Sequence, residues 1–202
     1  MYFYENVGNQ FIPKFYRDFS HPLESITAAN DAAPVLIDFD GDGDLDLIYG
    51  DGNYYDQIYY YRNNDFDDDG IIGNSPSFTE ITQPGSPVDN VDGSKYNVKP
   101  VLVDIDNDGD LDIFIGQDAS YLGPGTYESI RFFENDGGFT QASLPSGLDD
   151  FTNYYINRTA PAFYDNDGDG DLDLFVGREF GTIQYFRNTD IDVSDPGDVT
   201  IG

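Results

Sequence analysis

The chain has 202 residues, of which 39% are hydrophobic, and its 16 Tyr and 16 Phe are enough to form a folded core. Its 39 acidic residues and 9 Lys and Arg give a formal net charge of −30. This charge argues against nucleic acid as a partner, because nucleic-acid binding requires a basic face. The absence of cysteine excludes disulfides and thiol chemistry, and no apolar run approaches the roughly 18 residues of a membrane span.

The amino-terminal segment predicts two strands of an incomplete structural unit, residues 1–20. MYFYEN (1–6) has the same pattern as the third strand of later units, and residues 11–19 are expected to supply a fourth strand. His21 follows in SHPLES, and we interpret it as a surface loop residue because no serine–histidine pairing or nucleophile motif accompanies it. No catalytic residue is predicted.

A nine-residue pattern rich in aspartate then occurs three times, as DFDGDGDLD, DIDNDGDLD and DNDGDGDLD. Asp occupies positions 1, 3, 5, 7 and 9 of each copy, and Gly occupies position 6, where the backbone must turn sharply. So many carboxylates would repel one another unless a cation lay between them. The predicted metal-site residues are Asp38, Asp40, Asp42, Asp44 and Asp46; Asp104, Asp106, Asp108, Asp110 and Asp112; and Asp165, Asp167, Asp169, Asp171 and Asp173.

Calcium is the cation that fits, because it accepts six to eight oxygen ligands in flexible geometry, whereas magnesium requires a rigid octahedron. We expect side-chain ligands at positions 1, 3, 5 and 9, and a main-chain carbonyl ligand at position 7, whose carboxylate stays near solvent. An EF-hand loop would need a Glu at position 12, where this chain has Tyr49, Ile115 and Val176. These residues belong to apolar runs that favour strands, so each loop is expected to join two strands.

The segments around each loop predict the same order of four strands. A proline suited to the first residue of a strand lies four positions before each loop, and a glycine follows the second strand. The third strand ends in asparagine, which suits a turn. The prolines are Pro34, Pro100 and Pro161; the third strands are 57–63, 129–135 and 182–188; and the fourth strands are 78–81 and 139–142, with 199–201 left open as the last.

Four antiparallel strands that repeat with loop spacings of 66 and 61 residues predict an all-β fold built from β-propeller-type four-stranded antiparallel blades. The proline strand, Asp-rich loop, Leu-Asp-apolar strand, glycine and aromatic strand together resemble the FG-GAP and VCBS repeats of integrin α-subunit propellers and microbial surface proteins. The resemblance implies a calcium-stabilised propeller with about three Ca²⁺ sites, each between strands 1 and 2 of a blade. The expected blades are 33–82, 99–142 and 160–202.

Three weaker features are hypotheses with a structural alternative. Asp65, Asp67 and Asp69 begin the metal pattern, but Gly73 stands at position 9, so this segment is either a weak metal site or a solvated loop. Asn157 begins a formal glycosylation sequon. The loop face opposite the calcium sites carries tyrosines that either recognise a sugar or protein or only pack the loops: Tyr54, Tyr55, Tyr96, Tyr121, Tyr127, Tyr154 and Tyr155.

These patterns predict a calcium-binding repeat protein without enzymatic activity. Calcium loops of modest affinity fill where free calcium is near millimolar, which indicates an extracellular or cell-surface setting. The expected role is structural or adhesive, with a protein or glycan partner at the cell surface. The chain would act as a homo-oligomer assembled head to tail into a filament or surface layer, or as part of a longer chain. The alternative is a propeller segment of a polysaccharide-active enzyme or a carbohydrate-binding module.

Overall fold

The structure is a computed structural model that describes residues 1–28, 30–52, 58–64, 76–82, 84–91, 96–119, 128–148, 151 and 157–188. Over these residues the chain is all-β, with short 3₁₀ turns at Pro22–Ser25 and Glu179–Gly181, so the predicted fold class is confirmed. No helix among the described residues is long and apolar enough to cross a membrane.

Within the described ranges, thirteen strands form four antiparallel sheets in which sequence neighbours are also spatial neighbours. A half-sheet contains β1 (Tyr4–Asn6) and β2 (Phe15–Arg17). Sheet 1 contains β3 (Ala33–Ile37), β4 (Asp46–Gly50), β5 (Ile58–Asn63) and β6 (Phe78–Glu80). Sheet 2 contains β7 (Tyr96–Val103), β8 (Asp112–Asp118), β9 (Ile130–Asn135) and β10 (Phe139–Ala142). Sheet 3 contains β11 (Ala160–Tyr164), β12 (Asp173–Gly177) and β13 (Ile183–Phe186). These meanders have the shape expected of propeller blades.

Two details of the predicted strands are wrong. The second strand of the half-sheet begins at Phe15 rather than Phe11, because the side chains of Asn6 and Asn9 accept hydrogen bonds from backbone N–H groups of residues 8, 11, 12 and 14 and hold that segment in a turn. The prolines do not open their strands, because Ala33 and Ala160 pair first and Pro100 lies within β7. All three prolines still lie in edge strands, where a missing N–H is tolerated. The segment 199–201 lies outside the described residues.

In sheets 1 and 2, the two faces of the sheet are buried against different neighbours. In sheet 1, Leu47 and Tyr49 pack toward the half-sheet with Leu23 and Ile26. The residue between them, Ile48, packs instead with Ile113 and Ile115 of sheet 2. In the same register, Phe114 of sheet 2 packs with Leu174 and Val176 of sheet 3. The alternation of side chains along the second strand therefore joins sheets 1 and 2 to the sheet on either side of them.

The glycine that ends the second strand allows the next sheet to approach. A Cβ atom built on Gly50 would lie 2.2 Å from the carbonyl oxygen of Val98, and one on Gly116 would lie 2.5 Å from that of Thr159. Gly177 has the same place in sheet 3, but a Cβ atom built on it would lie 3.7 Å from the nearest atoms, which belong to Ala160. The first two glycines therefore permit backbone contact between sheets, whereas Gly177 has no described sheet beyond it.

The single histidine has a local structural role. The Nδ1 atom of His21 accepts a hydrogen bond from the N–H of Leu23 at 3.2 Å and so caps the 3₁₀ turn Pro22–Ser25. Its ring stacks on Phe3 with a centroid separation of 3.7 Å, and burial lowers its pKa. His21 therefore helps to fix the half-sheet against sheet 1.

Candidate metal centres

The three Asp-rich segments join the first and second strands of sheets 1, 2 and 3, as predicted; we call them loops 1, 2 and 3. Their backbone turns through left-handed conformations at two positions. Position 6 is Gly in each loop, with φ of 97° at Gly43 and Gly109 and 102° at Gly170. Position 4 is also left-handed, with φ of 75° at Gly41 and 59° at Asn107. The sequence signal for position 4 is the choice of Gly or Asn, the residues that adopt this conformation most easily.

The turns bring the carboxylates at positions 1, 3 and 5 together in every loop. Each residue offers an oxygen, and the three oxygens of a loop lie within 4.8 Å of one another. Two oxygens on opposite sides of a calcium ion are separated by about 4.6–5.2 Å, given Ca–O distances of roughly 2.3–2.6 Å. The spacing of these three carboxylate oxygens is therefore compatible with a bound metal ion of the size of calcium, to which they would contribute three of its oxygen ligands. The clusters are Asp38, Asp40 and Asp42; Asp104, Asp106 and Asp108; and Asp165, Asp167 and Asp169.

The carboxylate at position 1 is oriented by the backbone of its own loop. In loop 1, Asp38 accepts hydrogen bonds from the N–H groups of Gly41 at 2.9 Å and Gly43 at 3.1 Å. The equivalent donors are Asp108 and Gly109 for Asp104, at 3.1 and 3.2 Å, and Gly168 and Gly170 for Asp165, at 2.7 and 3.2 Å. The first carboxylate of each cluster is therefore held in place by the backbone of its own loop.

Arginines on the third strand contact two of the clusters, a feature that was not predicted. The Arg62 guanidinium lies 2.7 Å from a carboxylate oxygen of Asp40 and 3.1 Å from one of Asp42. In loop 3, Arg187 makes an ion pair with Asp167 and lies 3.6 Å from Asp169. The only sequence signal was the Arg-Asn pair that ends two of the third strands.

The carboxylate at position 9 lies apart from the three-residue cluster and binds the third strand. Asp46 is fully buried and accepts hydrogen bonds from the N–H of Asn63 at 2.7 Å and the hydroxyl of Tyr60 at 2.9 Å. Asp173 accepts the same pair from Asn188 and Tyr185, at 2.8 and 2.9 Å. The predicted ligand role of position 9 stays a prediction, and its observed role is to fasten the loop to the sheet.

Loop 2 differs at position 9. Asp112 accepts a hydrogen bond from the N–H of Asn135 at 2.8 Å and a long one from Ile105 at 3.4 Å, but Phe132 replaces the tyrosine of the other sheets. Burial raises the pKa of Asp112 to about 6, although its backbone hydrogen bonds act in the opposite direction. Burial also raises the pKa of Asp40 and Asp106. The buried negative charge therefore carries a cost that a bound cation would offset.

Position 7 does not follow one rule. Asp110 is exposed and Asp171 is half-buried, in line with a carboxylate near solvent. The expectation is wrong for Asp44, which is only 5% exposed. Its N–H donates a hydrogen bond to Asp42 at 3.0 Å, and the equivalent bonds from Asp110 to Asp108 and from Asp171 to Asp169 measure 2.8 and 3.1 Å, so only the side chain of Asp44 differs. That the main-chain carbonyl of position 7 binds the metal ion stays a prediction.

Several predicted residues lie outside the described part of the chain. They are the weak metal candidates Asp65, Asp67 and Asp69, and six tyrosines of the predicted recognition face: Tyr54, Tyr55, Tyr121, Tyr127, Tyr154 and Tyr155. The backbone of Tyr96 begins β7. Asn157 is half-buried, and its carbonyl accepts a hydrogen bond from the N–H of Glu179 at 3.1 Å.

A family model described as an FG-GAP-like repeat matches residues 104–176. The predicted FG-GAP resemblance is thereby confirmed. The match begins at the first Asp of loop 2 and ends within β12, so it contains two Asp-rich loops and the strands between them. Loop 1 lies outside the match but has the same cluster geometry as the two FG-GAP loops inside it. A search of curated proteins found no match to the chain. The match over residues 104–176 and the antiparallel four-stranded sheets agree with a β-propeller-like repeat architecture.

Proposed function

We propose that this chain is an extracellular calcium-binding β-propeller repeat protein with a structural or adhesive role. The observation that carries the proposal is the repeated cluster of three carboxylates, whose first member is already oriented by two backbone N–H groups. Hard, anionic oxygens in a glycine-turned loop are the ligands that calcium prefers. A bound calcium would neutralise the cluster and fix strands 1 and 2 of each sheet against each other.

The proposal assigns no enzymatic role to the chain. Its one histidine is used as a cap, and the clusters of three carboxylates found among the described residues lie in the three loops. Carboxylate pairs also serve glycoside hydrolysis, but there one carboxyl group must act as an acid or nucleophile toward the sugar. In these loops the carboxylates accept hydrogen bonds from the backbone that surrounds them. Their arrangement therefore favours metal binding.

Isothermal titration with calcium should give about three binding events per chain. Replacing the first carboxylate of one loop, Asp38→Asn, should remove one event, because it removes the negative charge of the carboxylate that two backbone N–H groups orient and leaves a single neutral oxygen. Asp136→Asn is the matched control, since it changes the same charge at an exposed turn outside the clusters. If the unmodified chain took up no calcium at millimolar concentration, the proposed function would be wrong.

We further propose that the chain assembles head to tail through the uncovered face of sheet 3. This face carries Phe175, Ile183 and Tyr185. The residues with the same strand pairing in sheets 1 and 2 are covered by the sheet that follows each of them. Ile183 is 75% exposed, whereas the equivalent Ile58 is 8% exposed. The half-sheet exposes Tyr2 and Tyr4 at the other end. Apolar surface at both ends supports contact between copies of the chain.

Sedimentation velocity in calcium tests this assembly. The unmodified chain should sediment as species that grow with protein concentration, and Ile183→Glu should shift it to a monomer because a carboxylate would be buried in the contact. Leu36→Glu, on an exposed residue of β3, is the control. A chain that remains monomeric at high concentration in calcium would reject the assembly and leave calcium binding unaffected.

A further inference from the structure

The three loops differ in the residue that the third strand places beside them. The asparagine N–H that binds position 9 fixes the register, because Asn63, Asn135 and Asn188 make the same hydrogen bond. The residue before this asparagine is Arg62 in sheet 1, Arg187 in sheet 3, and Glu134 in sheet 2. The residue at this register is thus a cation that contacts the cluster in loops 1 and 3, and an anion in sheet 2.

In loop 1 the arginine occupies oxygens that a metal ion would use. One oxygen of Asp40 accepts the N–H of Asp42 at 3.3 Å and the other contacts Arg62. Asp42 is shared in the same way between the N–H of Asp44 and Arg62. A divalent ion must therefore compete with a guanidinium for these carboxylates, and the guanidinium already neutralises part of their charge.

In sheet 2, Glu134 stands in place of the arginine and Phe132 stands in place of the tyrosine. Asp106 and Asp108 accept backbone N–H groups at 3.2 and 2.8 Å, and no arginine or lysine among the described residues contacts either of them. Glu134 adds a negative charge to the same end of the sheet. Phe132 also removes the hydroxyl that Tyr60 and Tyr185 donate to position 9. Loop 2 is therefore more negative and less satisfied internally than loops 1 and 3.

We infer that the residue before this asparagine sets the divalent-cation affinity of each loop, with Glu134 making loop 2 the tightest site. Arg62 and Arg187 act as internal cations that hold loops 1 and 3 together without metal and must be displaced, in part, when calcium binds. The inference rests on the proposed calcium binding. Exposed ion pairs contribute only modestly to binding. Exchanging Arg for Glu at one position changes the local charge by two units, so we expect the calcium affinity to change by about tenfold rather than by many orders of magnitude.

Calcium titration calorimetry of the full chain and of single variants tests the inference. The unmodified chain should show one tight site and two sites about tenfold weaker. Glu134→Arg should abolish the tight phase and leave three weak sites, whereas Arg62→Glu should give two tight sites. Both residues are on the exposed side of their strands, so folding in saturating calcium, checked by circular dichroism, should be kept.

Glu5→Arg is a matched control. Glu5 precedes Asn6 in β1, which has the same sequence register as the third strands, but the half-sheet has no Asp-rich loop. This variant reverses the same charge and should leave all calcium affinities unchanged. Three equal sites in the unmodified chain, or an unaltered tight phase in Glu134→Arg, would overturn the inference while calcium binding itself still held. No calcium uptake by any variant would instead reject the proposed function.

Discussion

Removing calcium is expected to lower the free energy of unfolding by about 4 kcal/mol. Sites whose Kd values average roughly tenfold below the ambient calcium concentration contribute about 1.4 kcal/mol each on average, so the three sites together contribute about 4 kcal/mol even when one binds more tightly than the others. A total stability of about 5–15 kcal/mol is typical of a domain, so the loss is a large share of it. For a chain of this length, the melting temperature should fall by roughly 8–16 °C on chelation, as measured by calorimetry in calcium and in EDTA.

The chelation experiment needs a control for ionic strength and for ion identity. Adding calcium in excess of EDTA should restore the melting temperature, whereas an equal excess of magnesium should restore little of it, because magnesium retains its water molecules and demands octahedral geometry. An identical melting temperature with and without EDTA would show that the carboxylate clusters do not stabilise the fold through a metal.

Truncating Phe114 is expected to cost about 3–5 kcal/mol, the range for large-to-small changes of a buried aromatic residue. Phe114 is fully buried between sheets 2 and 3, where its ring contacts Phe132 and Phe163 with centroid separations of 4.6 and 4.7 Å. Phe114→Ala would leave a cavity at the contact that joins two blades. Urea unfolding in calcium measures the change as a lower transition midpoint.

Phe175→Ala is the matched comparison for this truncation. Phe175 has the register of Phe114, but it lies on the uncovered face of sheet 3 and contacts mainly Tyr185, at a centroid separation of 4.9 Å. In dilute protein its truncation should cost less than about 1.5 kcal/mol, because part of the ring already contacts water. Equal losses for the two variants in dilute monomer would contradict the description of Phe175 as an uncovered equivalent.

The repeated local chemistry was predictable from the sequence, because it depends on residues close together in the chain. Each loop has the same internal spacing, the loop glycines allow left-handed turns, and the strands that follow the loops are continuous apolar runs. The confirmed FG-GAP resemblance rests on these same local features. The short strand after Phe11 was misjudged because two asparagine side chains satisfy its backbone instead of a neighbouring strand.

Contacts between strands were harder to predict. Arg62 reaches Asp40 from a strand 22 residues further along, and this contact depends on the exact pairing of β4 with β5. The hydrogen bonds of Asp46 with Tyr60 and Asn63 depend on the same pairing. A shift of one residue in register would have moved Arg62 to the opposite face of the sheet. The acidic residues of the clusters were therefore predictable from the sequence, whereas Arg62 and Arg187, which form ion pairs with them, were not.

The meander order of the sheets has a consequence for synthesis on the ribosome. Every strand pairs with a strand adjacent in sequence, so sheet 1 can complete its hydrogen bonds once residue 80 has emerged. The face of sheet 1 that carries Ile48 and Ile58 stays exposed to solvent until β8 and β9, which cover it, have been translated. The nascent chain therefore exposes an apolar surface on its most recently completed sheet. Each new sheet covers that surface and exposes an apolar face of its own.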